Sequence, residues 1–187
     1  MKTLLLGLGN PILKDDSVGL KVVREIGEKV TEEDVHVEEA SFANIDILEA
    51  IDSYDRLIIV DSIKTKEGKP GELYPLSLED LRSTLHLSCP HDINLATALE
   101  LGKRLGMHVP REIRIYAIEI EDNQTFSETC SPSVERAIPR IVKEIAEREC
   151  FIFGRKSLGC REEAPNNKHL PSPERFAQAG QIPNKFQ

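Results

Sequence analysis

The sequence predicts an α/β domain, a three-layer α/β/α sandwich built on a mostly parallel, twisted sheet. Two observations carry this. Apolar runs alternate with stretches of helical periodicity through the first hundred residues, the pattern of strands linked by covering helices. The runs themselves are apolar on both parities, as expected of strands buried on both faces. The chain has 187 residues with 40% apolar content, enough for one core.

Thr3 to Leu8, "TLLLGL", is the first strand. A glycine turn follows, and from Asp16 the apolar residues Val22, Val23, Ile26 and Val30 recur, with Gly19, at helical spacing. "VHVEEA" is a second strand, "IDILEAI" a short helix, and "RLIIVDSI" a third strand rich in β-branched residues. "KTKEGKPGELYPL" reads as a turn and a short strand. His91 opens a helix with Leu95, Ala98, Leu99, Gly102 and Leu105 on one face, and "REIRIYAIEI" is a long strand. Ser131 and Pro132 are the expected cap and first-turn proline of a closing helix, which Pro139 is expected to kink. The domain is expected over residues 1–150. Residues 151–187, with "EAPNN", "LPSPE" and "QIPNK", are expected to form a poorly structured tail.

The charge narrows the function. There are 24 basic and 32 acidic residues, a net charge of -8, which disfavours nucleic acid as a partner. The six basic and three acidic residues after Cys150 give the tail +3 and leave -11 on the body. No apolar run approaches the ~18 residues of a membrane span. The opening "MKTLLLGLGNP" has too short an apolar run for a signal peptide and lacks a small-residue cleavage site, so a cytoplasmic location is expected. Four widely spaced cysteines, with no C-x-x-C, argue against a disulfide framework.

Three polar residues stand where strands end and helices begin: Asp16 after the first strand, Asp61 after "LIIV", and His91 after "TLHLSCP". In an open α/β sheet ligands bind outside the carboxyl ends of the strands, so parallel strands would gather all three on one edge. Two carboxylates and an imidazole suit a divalent transition metal better than calcium. Each also has a plainer reading. Asp16 fits a helix cap, and His91 a capping-region residue. Asp61 is harder to reduce to structure, because a charge directly after four apolar strand residues is costly unless paired. Asp15 is expected in solvent or as a cap. His86 reads as a supporting group or a plain loop residue, and Cys89 as a small apolar filler. Glu38 and Glu39 read as a solvated turn, as does "YDR" around Asp55; Glu119 is a candidate for ordering the site.

The same residues carry a resemblance. "GLGNPILKDDSVGLKVV", "YDRLIIVDSI", "HLSCPHDINLATALELGKRLG" and "YAIEIEDNQTFSETCSPSVERAIPRIV" together resemble the hydrogenase maturation protease family over residues 2 to about 148. The resemblance implies a three-layer α/β/α fold and an endopeptidase that removes the C-terminal extension of a [NiFe] hydrogenase large-subunit precursor. It implies that nickel, carried by that precursor, is met by Asp16, Asp61 and His91, with no permanent organic cofactor. A monomer is expected. The chain departs from the family at "EEASFAN", where many members have a glycine-rich turn after an acidic residue, here Glu39. Ser17 also stands where glycine or alanine is common.

The metal-assisted chemistry has two forms on these residues: nickel as Lewis acid or hydroxide source, or as a recognition handle with Asp16 or Asp61 as general base. No Ser-His-Asp or Cys-His arrangement argues for a covalent nucleophile. Three rivals remain. Peptidyl-tRNA hydrolases also open with "GLGNP", but their Tyr and Thr-Arg-His-Asn run does not follow, and the acidic body is wrong for tRNA. A nucleotide-binding module would want a third glycine and no acidic pair at the helix start. A non-catalytic assembly chaperone is the third.

Overall fold

A computed structural model describes residues 1–41, 47–78, 95–154 and 156–157. Strand β1 (Thr3–Leu8) runs into a single 3-10 turn (Lys14–Ser17) and helix α1 (Val18–Gly27). Then come β2 (Val35–Ala40), α2 (Ile47–Ile51), β3 (Arg56–Ile63) and β4 (Leu73–Leu76). Helix α3 (Leu95–Arg104), β5 (Glu112–Glu119), α4 (Pro132–Glu149), β6 (Ile152–Phe153) and β7 (Lys156–Ser157) complete the described chain. The main sheet has the order β2-β1-β3-β5-β4. Its first four strands are parallel, and β4 lies antiparallel to β5 at one edge.

The apolar strand runs work by alternation. Leu5, Ile58, Val60, Tyr116 and Ile118 face α1 and α4, packing on Val22, Val23, Ile26, Val134, Ile138, Ile141 and Ile145. Leu4, Leu6, Leu57, Ile59, Ile115 and Ala117 face α2 and α3, packing on Ile47, Leu48, Ile51, Ala98 and Leu99. Helices therefore cover both faces, and the three-layer α/β/α expectation holds. Each fully buried Leu or Ile contributes on the order of 1.5–3 kcal/mol, so these two layers dominate the stabilisation.

Gly19 lets α1 sit against the strand ends. A Cβ there would lie 2.4 Å from the Leu8 carbonyl oxygen and 2.5 Å from that of Val60. The opposite end of the sheet is tied by charge: the Arg56 guanidinium and the Tyr116 hydroxyl both donate to the buried Glu149 carboxylate. This network fixes the end of α4 to the start of β3.

Several local expectations change. Ser131 precedes α4, which runs on through Pro139, but its side chain makes no capping bond; its hydroxyl is committed elsewhere, as described below. Leu105 is 65% exposed, because α3 ends at Arg104 and Gly106, at φ +75°, turns the chain away. The Gly106 and Met107 amides close that end on the carbonyls of Lys103 and Gly102. Phe151, assigned to the tail, is buried in the core, and the Ile152 amide donates to Glu32. Ordered packing therefore continues past residue 150. Cys150 is disulfide-bonded, a bond that the argument against a disulfide framework did not foresee, while Cys130 is free and buried.

Candidate active site at the carboxyl edge of the sheet

The chain leaves β1 to build β2 on one side and β3 on the other, so the crevice between β1 and β3 is the switch point of the sheet. Ligand sites in open α/β sheets form there, and Asp16 and Asp61 both stand at it.

Asp16 is positioned by the glycine turn. Gly9 has φ +145°, and a Cβ on it would lie 2.0 Å from the Asp16 carbonyl oxygen. Only glycine lets the turn close this far back on itself. The Asn10 side chain accepts from the Ile12 amide (3.1 Å), shaping the exit from the turn, and the Asn10 amide donates to Asp16 Oδ2 (2.9 Å). The other oxygen, Oδ1, accepts from the Ser62 hydroxyl (2.7 Å). Asp16 lies in the 3-10 turn ahead of α1, and both of its oxygens are aimed at groups of the crevice rather than at helix amides. The capping alternative is thereby set aside.

Asp61 lies within β3, paired in register with Ala117, and two further residues of strand follow it. Its Oδ1 accepts from the Ser62 amide (2.7 Å); Oδ2 has no hydrogen-bond partner among the described residues. The residue itself is half-buried. Burial pushes the carboxyl up to about 7, the Ser62 amide opposes the rise, and the Asp16 charge adds to it. The two carboxylates thus share one neighbour and sense each other's charge. Each retains oxygen lone pairs for a further ligand.

His91 lies outside the described residues, as do His86 and Cys89. Among the described residues no group of three His, Cys, Asp or Glu side chains forms a metal cluster. What the fold brings together is the carboxylate pair.

Asp15 has a role that the sequence did not reveal. It is fully buried rather than solvated. Its Oδ2 accepts from the amides of Glu121 (3.1 Å) and Asp122 (2.9 Å) and from the Ser131 hydroxyl (2.8 Å), and its Oδ1 from the Ser131 amide (2.5 Å). Four donors compensate the burial of one charge. The backbone extends the seam: Lys14 and Asp15 amides donate to the carbonyls of Thr125 and Asp122, and the Ser127 amide to that of Ile12. The Lys14 ammonium meets Asp122 at 3.2 Å. Asp15 therefore pins the segment after β5 against the turn that carries Asp16. Burial raises the Cys130 thiol in this same seam, above Ser17, so it rests as an inert thiol.

Glu119, at the end of β5, is also buried. It accepts from the Thr65 amide (2.6 Å) and hydroxyl (2.9 Å), and burial raises its carboxyl against those bonds. It holds the segment leaving β3 through Thr65 and makes no bond to Asp16 or Asp61 among the described residues. Glu39 lies within β2, paired in register with Gly7, rather than in a turn, and its carboxylate accepts two bonds from Arg24, of 2.8 and 2.6 Å.

An open α/β domain with an aspartate pair at its switch point is an architecture that suits a small hydrolase. Comparison with known proteins makes that specific. The family model for hydrogenase maturation protease matches residues 20–148, and the chain belongs to that family. It is 24% identical over 163 residues to the hydrogenase 2 maturation protease of Escherichia coli K12, covering 84% of this chain and 99% of that protein. Among solved structures it is similar to the hydrogenase maturating endopeptidase HybD from E. coli, with a TM-score of 0.70 and 23% identity over 83% of this chain and 98% of the other. It is also similar to the [NiFe] hydrogenase maturation protease HybD from Thermococcus kodakarensis, with a TM-score of 0.62 and 25% identity, covering 80% and 99%. The peptidyl-tRNA hydrolase and nucleotide-module readings give way to this family.

Proposed function

We propose that this chain is an endopeptidase that removes the C-terminal extension of a [NiFe] hydrogenase large-subunit precursor after nickel insertion. In this reading the nickel is part of the substrate, and Asp16, Asp61 and His91 meet it as it arrives. The observation that carries the reading is the Asp16–Asp61 pair, bridged by Ser62 at the switch point of a chain that belongs to this family. Two anionic ligands, with an imidazole, make a donor set suited to a divalent transition ion.

The electrostatics support a gate. Without an approaching cation the crevice disfavours two ionised carboxylates, and the Asp61 carboxyl sits near 7. A metal-loaded precursor brings the positive charge that favours ionisation of both. An empty precursor brings none and leaves the pair poorly matched. Asp61, titrating near neutrality, is the group placed to accept a proton from an attacking water.

We place the enzyme in the cytoplasm as a monomer with no organic cofactor and no nucleic-acid partner. The net charge of -8 supports the last point. No helix among the described residues is long and apolar enough to cross a membrane. The test is cleavage of a large-subunit precursor, nickel-loaded and nickel-free, by wild type and Asp16→Asn. Trimming of the loaded precursor by wild type alone supports the reading. Binding of the loaded precursor without cleavage would replace it with an assembly chaperone.

A further inference from the structure

Ser62 touches both carboxylates of the crevice. Its amide donates to Asp61 Oδ1 and its hydroxyl to Asp16 Oδ1, each at 2.7 Å. The amide belongs to the backbone and survives any substitution except proline. The hydroxyl does not, and it is the one side-chain donor to Asp16 among the described residues. The remaining bond to Asp16, from the Asn10 amide at 2.9 Å, reaches the other oxygen. One donor on each oxygen fixes the plane of the carboxylate. With only one, the group can swing about its Cβ–Cγ bond, a broad torsion with little intrinsic preference.

The geometry points to Ser62 as a positioning residue: its hydroxyl orients the Asp16 carboxylate towards the metal-bearing substrate and links it to Asp61. This deepens the proposed function and rests on its reading of Asp16 as a ligand. Ser62 lies on β3 (Arg56–Ile63), paired in register with Ile118 of β5, two residues beyond the end of the β1 pairing at Val60. Its hydroxyl is therefore presented from the rigid sheet rather than from a loop. Partners that orient a ligating group commonly matter by about 10–100-fold in affinity or activity when removed.

The experiment compares wild type, Ser62→Ala and Ser62→Thr in cleavage of a nickel-loaded precursor, with the Asn10 amide resonance followed by NMR in the free proteins. Ser62→Ala is expected to lower kcat about 10–100-fold with KM nearly unchanged, and to shift the Asn10 amide, which reports the other Asp16 oxygen. Ser62→Thr, which keeps the hydroxyl on a strand that favours β-branched residues, is expected to restore both. Wild-type turnover by Ser62→Ala overturns the proposal, and so does slow turnover in both variants with an unmoved Asn10 amide. If wild type itself cleaves no precursor, the maturation reading fails separately. The Asn10 resonance then decides the role of Ser62: displaced in Ser62→Ala and restored in Ser62→Thr, it stands; unmoved, it falls.

Discussion

Replacing Asp61 by asparagine removes a charge that the fold holds at a cost. The Asp61 carboxyl is raised from 3.8 to about 7, chiefly by burial. A carboxyl raised in this way favours folding fully below its unfolded value, and that contribution is lost as pH rises through the folded value. A rise of this size corresponds to a ceiling of about 4 kcal/mol lost between pH 4 and pH 8. Between pH 5 and pH 8 the same linkage gives about 2–3 kcal/mol. Asparagine keeps an oxygen to accept the Ser62 amide, which donates at 2.7 Å in the wild type, and carries no charge at either pH. Urea denaturation of wild type and Asp61→Asn at pH 5 and pH 8 measures the difference. The variant should gain about 2–3 kcal/mol on wild type from the lower to the higher pH while losing cleavage activity. A variant that gains nothing on wild type between pH 5 and pH 8, or that falls further behind it, would refute the argument that burial and the neighbouring Asp16 charge raise Asp61.

Three further outcomes follow from the geometry. Asp16→Asn should reduce precursor cleavage more than about 100-fold, since it removes a proposed ligand rather than a partner of one, with the Tm within a few degrees of wild type. Asp15→Ala leaves four donors on Glu121, Asp122 and Ser131 without their acceptor; it should cost about 3–5 kcal/mol, read by thermal or urea denaturation. An unchanged Tm would mean the seam is not held by Asp15. Gly19→Ala would place a Cβ within 2.5 Å of two strand carbonyls and should cost about 1–3 kcal/mol or more, seen as a lower urea midpoint with an unchanged slope.

The strands were legible because their chemistry is local. "VHVEEA" and "RLIIVDSI" coincide with β2 and β3, since β-branched runs bounded by turn residues leave little choice of conformation. The edge position of Asp61 followed from that alone. Asp16 was legible as a position but not as an orientation. The reason is visible in its neighbour: Asp15 and Asp16 are chemically identical in the sequence, and the 3-10 turn sends one into the core and the other into the crevice. The donors that select Asp15 lie beyond residue 120, where no local pattern reports them. Ser131 misled for the same reason. It has the residue type and place of a helix cap, but a distant carboxylate competes for its hydroxyl. The end of α3 was more readable than the helical periodicity alone implied, because Leu105 is followed by Gly106, a common helix terminator. The His91 reading falls outside the described residues.

The Asp15 seam also has a consequence in time. Its bonds join residues separated by 106 to 116 positions along the chain. As the polypeptide leaves the ribosome, β1, the glycine turn and Asp16 emerge first, and domains complete their packing only as later segments arrive. The turn bearing Asp16 meets β2 and β3 early, through the Gly9 amide and the Ser62 hydroxyl, but lacks the Asp15 anchor until the stretch from Glu121 to Ser131 has been synthesised and docked. A nascent or truncated chain thus carries the residues of the crevice without its closed arrangement. The crevice therefore reaches its full arrangement only after residues 121–131 have joined it.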